Sequence, residues 1–446
     1  MDYLNDGDPN TSNDLGITGI WLMPMMESPT YHGYDVSDYY EIEVDYGTME
    51  DFEEFLEQAH LRGIKVIIDL VLNHTSNQHP WFIQSANNQN NYREWYIWSE
   101  NNPGFTGPWG QNIWHYNQGN YYYGLFWSGM PDLNYEHQSV KQEMINVANF
   151  WLNKGVDGFR LDAIKYLIED ASNLENTPAT FSLIEDFNSA YKYTSSKSFT
   201  IGEVWSNTNS VIPYVQSGRL DACFDFDLAS NIINSVNSGS SAGLQQQILT
   251  IRESYPALQY GTFLTNHDMD RVYNKLGYNN EKMKLAASIY LTMPGIPFIY
   301  YGEELGMVGT GSHENIRRPM QWSSSTNSGF TNSIPWKSIG NNYLTNNVEI
   351  MSNNDHSLMN HYKKLIKIRN EQSALRRGNI LILENESEEL LSFIRTFRNK
   401  AVLFNCNLSL NLLNPTISLS KSSIPKGNYY LYAVSYTHLR AHETRP

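Results

Sequence analysis

The stretch "GVDGFRLDAIKYL" at positions 155–167 decides how the chain is read. It is an apolar, strand-like run that ends in Arg160 and Asp162, two residues apart. Alternate side chains of a strand point to one face, so the guanidinium and the carboxylate aim at one spot. Two readings of the pair stay open on its own evidence. One is a structural ion pair closing a core; the other is an aspartate kept ionised as a nucleophile by a fixed positive neighbour.

Working outward, six more runs share the form. They are "GITGIWLMP" (16–24), "GIKVIIDLVLNH" (63–74), "SFTIGEVW" (198–205), "LDACFDFD" (220–227), "GTFLTNHD" (261–268) and "GIPFIYYGEE" (295–304). Amphipathic stretches lie between them. "MEDFEEFLEQAHLRG" (49–63) places Phe52, Phe55, Leu56 and Ala59 at helical spacing, and "SVKQEMINVANFWLNKG" (139–155) ends at Gly155 as helices often do. Strands alternating with helices predict a parallel sheet with helices on its outer face. The expected fold class is α/β, a (β/α)8 TIM barrel. Seven strands are one short of eight. "MDYLNDGDPN" reads as the tail of a helix running into a loop, so the first strand is expected to precede residue 1 in a longer protein.

An Asn-, Gly- and aromatic-rich segment interrupts the alternation over 75–134 and reads as a small inserted domain, because structureless loops of that length are rare. The barrel then takes 1–74 and 135–375. From 376 to 434 the texture changes to strand-like "LLSFIRTFRNKAVLFNCNLS" and "GNYYLYAV", read as a C-terminal β-sandwich domain. The last residues, 435–446, break the pattern and read as a non-native tail.

Composition narrows the function classes. With 41% hydrophobic and 17% charged residues the chain is globular, and 446 residues suffice for a barrel plus smaller domains. A net charge of −16 without a dense Lys/Arg cluster argues against nucleic acid or an anionic membrane as partner. No apolar run is long enough to span a bilayer. Cys223 and Cys406 lie too far apart in sequence to give a ligand spacing or a disulfide framework. No signal peptide opens the chain, and the compartment stays open: a secreted or periplasmic full-length protein is compatible, since any export signal would precede residue 1. The 11 Trp, 30 Tyr and 18 Phe suit stacking on sugar C–H faces, although aromatics also fill cores.

The C-terminal ends of barrel strands form the active site. Here those ends supply Asp69, Asn73 and His74, then Arg160 and Asp162, then Glu203, then His267 and Asp268. Three carboxylates converging from three strands would repel one another, which argues for function over structure. A carboxylate nucleophile and a carboxylic acid are the set that glycoside hydrolysis needs. Asp162 beside Arg160 suits the nucleophile, and Glu203, after apolar "FTIG" and next to Trp205, suits an acid raised by desolvation.

The ordered motifs "DLVLNH", "GFRLDAIKY", "GEVW" and "TNHD", with "MPDLN" (130–134), resemble those of the α-amylase family, glycoside hydrolase family thirteen, over nearly the whole chain. The resemblance implies Asp162 as nucleophile, Glu203 as acid/base and Asp268 as transition-state stabiliser. It implies sugar ligands at Arg160, His74 and His267, a stacking Tyr34 with its neighbour Asp35, Lys165 toward the next sugar, and Arg317 of "RRPMQW". Many relatives bind calcium through the asparagine matching Asn73 and a backbone oxygen at the position of Tyr166; no organic cofactor is implied. "NDGDPN" at 5–10 reads as a plain turn rather than a calcium loop.

The expected activity is retaining hydrolysis of α-1,4 bonds in starch and maltooligosaccharides by a monomer. An oligosaccharide-acting α-glucosidase or transglycosidase of the same family stays open, as does a truncated fragment that only binds glucan. The Trp/Tyr cluster at 92–127 stays divided between domain core and sugar platform.

Overall fold

Each of the seven apolar runs carries a strand in the computed structural model, which describes residues 1–11, 13–170 and 173–419. The chain divides into two units, Met1–Asp227 with Thr250–Thr262, and Leu228–Leu249 with the chain from Phe263 onward. In the first unit, strands β1 (Gly19–Leu22), β2 (Lys65–Leu70), β3 (Gly158–Leu161), β4 (Phe199–Gly202), β5 (Ala222–Phe224) and β6 (Tyr260–Thr262) pair in that order. Every pairing is parallel. Consecutive parallel strands need crossovers, and helices α1 (Met49–Leu61), α2 (Gln138–Asn153) and α3 (Pro178–Thr194) lie in three of them. This is the barrel-type α/β sheet that the alternation implies.

Local chemistry explains the elements. Thr48 caps α1 reciprocally with Asp51, and Phe52, Leu56 and Ala59 bury at helical spacing. In α2, Val140, Met144, Val147 and Trp151 form the buried stripe, and the Trp151 indole donates to the Tyr39 carbonyl at 2.9 Å. Gly158 opens β3 at φ 152°, where a Cβ would meet the Phe199 carbonyl oxygen at 1.8 Å. Only glycine lets β3 approach β4 that closely. The pairing then sets Asp69 opposite Arg160.

The inserted segment holds its own antiparallel sheet of Trp98–Ser99, Asn120–Tyr123 and Trp114–Asn117. Its rings interlock: Phe82 lies 4.9 Å from Tyr122 and 5.1 Å from Tyr96, both edge-to-face.

In the second unit β7 (Ile296–Pro297) follows the helix Asn280–Thr292, whose C-terminal carbonyls are met by buried arginines. Arg369 donates to Leu291, Met293 and Gly295, and Arg395 to Thr292, Leu375 and Gly378. The β-sandwich expected over 376–434 is represented among the described residues by one antiparallel sheet. It contains β8 (Asn379–Ile382), β9 (Leu390–Phe397) and β10 (Lys400–Asn407). "GNYYLYAV" and the tail read over 435–446 lie outside the described residues.

Beyond β7, buried Glu303 accepts hydrogen bonds from Tyr290 at 2.8 Å and Tyr362 at 2.7 Å. Burial pushes its carboxyl up to about 8, although both tyrosines pull the other way. A raised acid contributes stability below the ordinary carboxyl range and loses it as pH rises through about 8. Glu303→Gln is therefore expected to melt with wild type at pH 5 and above wild type at pH 9. Scanning calorimetry at the two pH values checks this.

Candidate active site

The strand register of the first unit converges four charged groups at the ends of β2, β3 and β4. Arg160 is 1% exposed, and its Nη1 donates to both Asp69 carboxylate oxygens at 2.9 Å and to Asp162 Oδ1 at 2.5 Å. Its Nη2 lies 2.7 Å from Glu203 Oε2, which also accepts from the Ala163 amide at 3.2 Å. One guanidinium thus serves three carboxylates. Ala163 sits at φ 46°, ψ 34°, a left-handed turn that ends the strand directly after Asp162.

The surroundings fix the cation. Tyr34 donates to Asp69 Oδ2 at 3.0 Å, and the Trp21 indole donates to the same oxygen at 3.2 Å. The guanidinium also lies 5.0 Å from the Trp21 ring and 5.8 Å from the Tyr34 ring. Burial pushes the Asp69 carboxyl up, and the Arg160 charge and hydrogen bonds oppose it. For Arg160 burial works against the charge, and Asp69 and Glu203 overcome it, holding the guanidinium charged.

Other expected residues of this unit are placed as follows. His74 is buried, and burial pushes its imidazole down to about 3, so it is neutral at neutral pH. Its ring stands edge-on to Phe126 at 5.2 Å. Asp35, 3% exposed, accepts from Ser28 at 2.9 Å and from Thr30. Lys165 pairs with Glu175 at 2.7 Å and donates to the Trp205 carbonyl at 3.1 Å. Trp205 stacks on Phe226 at 4.8 Å and stays 47% exposed, while Glu203 itself is buried at 8% exposure.

Asn73 lies in a different setting. Its Nδ2 donates to Asp132 Oδ2 at 2.9 Å, while its buried Oδ1 has no hydrogen-bond partner. Burial and then the neighbouring Glu169 carboxylate push Asp132 well up. Burial pushes Glu169 to about 7. A buried and a half-buried carboxyl beside an orphaned amide oxygen suit an oxygen-seeking divalent cation. Among the described residues no three His, Cys, Asp or Glu side chains cluster as a metal site. In the N-terminal loop Asp6 and Asp8 accept from the Asp8 and Asn10 amides, the contacts of a plain turn.

The second unit assembles its own charged cluster. Asp268 Oδ2 lies 3.1 Å from His267 Nε2, and Oδ1 lies 2.8 Å from Arg317 Nη2 and 3.2 Å from His313 Nδ1. Arg317 Nε also donates to the His267 carbonyl at 3.0 Å. Against burial, His267, His313 and Arg317 hold the Asp268 carboxyl far below the carboxylate range. The hydrogen bond to Asp268 raises His313 in return.

The profile described as "Alpha amylase, catalytic domain" matches residues 12–378. The chain belongs to the α-amylase family. It is 40% identical over 400 residues to "Alpha-amylase 3" of Dictyoglomus thermophilum, covering 89% of this chain and 78% of that protein. It is 30% identical over 490 residues to an oligo-1,6-glucosidase of Bacillus cereus, covering 92% and 85%. Among solved structures it resembles the α-amylase from H. orenii, at 42% identity and a TM-score of 0.84 over 91% of this chain and 83% of that one. It also resembles the trehalose-6-phosphate hydrolase of Bacillus licheniformis, at 30% identity and 0.78 over 88% and 84%. As an α-amylase family member the chain is a glycoside hydrolase by sequence, and the family needs no organic cofactor.

Sequence reading missed Trp21, Glu175, Asp132, Glu169 and His313. Trp21 stood in a quoted strand and Asp132 in "MPDLN"; the other three carry no local signal, since their partners are distant or off-motif.

Removing Arg160 leaves Asp69 buried and uncompensated. Arg160→Met is expected to lose about 3–5 kcal/mol of stability, part of it recovered by Asp69→Asn in the same chain. Urea denaturation of the two single variants and the double variant measures both.

Proposed function

We propose that the chain is a retaining α-glucan hydrolase cleaving α-1,4 bonds of starch and maltooligosaccharides. Asp162 attacks the anomeric carbon and forms a covalent glycosyl ester. Glu203 protonates the leaving oxygen, then takes a proton from the water that releases the sugar. Asp268 is assigned to stabilise the oxocarbenium-like charge; its own cluster keeps it ionised for that role. The observation that carries the reading is the single guanidinium bridging Asp162 and Glu203. Two carboxyls on one guanidinium support the roughly 5–5.5 Å separation of retaining enzymes over the wider inverting one.

Once substrate is bound, Arg160, His74 and His267 are the proposed ligands of the cleaved sugar, with Tyr34 stacking and Asp35 beside it. Lys165 and Arg317 complete the substrate contacts. The higher identity to "Alpha-amylase 3" than to the oligo-1,6-glucosidase supports an amylase over a glucosidase or transglycosidase. A monomer is part of the reading, because one chain supplies every residue named. So are the barrel over 1–74 and 135–375, the inserted domain over 75–134 and the C-terminal domain over 376–434. No described helix is long and apolar enough to cross a membrane.

Asp162→Asn and Glu203→Gln are each expected to lower kcat at least about a thousandfold with unchanged melting temperature. Proton NMR of the first products from starch should show α-anomers; β-anomers would overturn the covalent step.

Calcium fits Asn73, Asp132 and Glu169, where it would supply the positive charge that the two carboxyls demand. Chelator is expected to lower the melting temperature of wild type by several degrees and to leave Asp132→Asn unmoved. Differential scanning fluorimetry with and without chelator reads both.

A further inference from the structure

The rings of the inserted segment divide into two kinds. Tyr96, Tyr122 and Tyr123 are at most 5% exposed and form its core. Trp109 is 60% exposed, although its loop is firmly held. Gly107 donates to the Gln111 carbonyl at 2.9 Å, and the Trp109 amide donates to Gln111 Oε1 at 2.9 Å. Gln111 Nε2 in turn donates to the Leu125 carbonyl at 3.0 Å. A Cβ on Gly107 would strike Gln111 Nε2 at 2.3 Å, so the loop closes tightly beneath the indole. An indole left in water by an ordered loop is an arrangement that folding alone does not favour.

Its neighbours say what it serves. The indole lies 5.7 Å from Phe126 and 6.0 Å, edge-on, from Tyr166. Phe126 stands edge-on to His74. Phe126 and Tyr166 share one apolar cluster with Ala163, the residue after Asp162. Lys165 Nζ lies 4.8 Å from the Tyr166 ring. Trp109 is thus fixed, one ring removed, to the residues proposed to hold the cleaved sugar and its neighbour. Among the other exposed rings of the segment, Phe105 pairs with Trp114 and Tyr116 with Tyr121 across the hairpin, while Trp127 is 47% exposed.

We propose that Trp109 is a sugar-binding platform, on which a glucose unit of the α-glucan beyond the cleaved pair lays its C–H face. The indole supplies the flat apolar surface, and the bound sugar covers what the loop leaves exposed. The site selects for chain length, because a short oligosaccharide filling the cleaved pair does not reach it. This rests on the α-glucan reading above.

Two measurements test it separately from that reading. The first compares kcat/KM on maltoheptaose and maltotriose for wild type, Trp109→Ala and Trp109→Phe. Trp109→Ala is expected to lower the maltoheptaose-to-maltotriose ratio about five- to tenfold, mainly through KM, and Trp109→Phe to restore most of it. An unchanged ratio, or an equal fall on both substrates, overturns the proposal. The second titrates maltoheptaose against Asp162→Asn with and without Trp109→Ala by calorimetry. A fivefold or greater loss of affinity is expected in the double variant, and no loss overturns the platform. If wild type binds maltoheptaose through Trp109 but hydrolyses no α-glucan, the catalytic reading fails and the platform stands.

Discussion

Three carboxylates buried around one guanidinium set the terms for the first unit. Charges removed from water are costly, and their attraction offsets that only with excellent geometry. Arg160 meets all three: Nη1 is shared between both Asp69 oxygens and Asp162, Nη2 faces Glu203, and the buried Nε is left without a partner. The register that aligns Asp69 with Arg160 requires β3 to lie flush between β2 and β4, which Gly158 permits. Trp21 and Tyr34 close the far side by donating to Asp69. The cluster stays net negative, and a transition state developing positive charge at a sugar carbon is what such a field favours.

The second unit solves a related problem in a different way. Asp268 is one carboxylate met by an arginine and two histidines, so one acid has three partners instead of three acids sharing one. Asp162 is aimed by a cation it shares, whereas Asp268 is surrounded by donors of its own. The first arrangement matches the nucleophile's part in the proposed mechanism. The second matches a carboxylate proposed to act by its charge alone.

Much of this was legible in the chain because strands and their terminal motifs are local. The seven apolar runs each carry a strand, and "GFRLDAIKY" places Arg160 and Asp162 together by alternation alone. What sequence could not supply were partners chosen by the fold. Glu175 reaches Lys165 across a segment with no periodic signal, and Glu169 finds Asp132 through burial. The aromatic insertion was undecidable for the same reason. Tyr122 and Trp109 are equally apolar in composition, yet pairing buries one and a four-residue turn exposes the other.

The buried arginines differ in what they donate to, and that difference bears on the opening choice between a structural and a functional pair. Arg369 and Arg395 reach carbonyl oxygens at the end of a helix, neutral partners that the backbone must satisfy somehow. Arg271 does likewise, donating to the Ile316 and Tyr301 carbonyls between two tyrosine rings. Those arginines satisfy backbone carbonyls. Arg160 instead gathers anions, which is poor economy for a core, since apolar residues of similar volume would stabilise at least as well. Two carboxylates facing one guanidinium at a strand end support the catalytic reading proposed for them. The same "RLD" spacing would look identical in either setting, and the acceptors across the sheet, Asp69 and Glu203, make the difference.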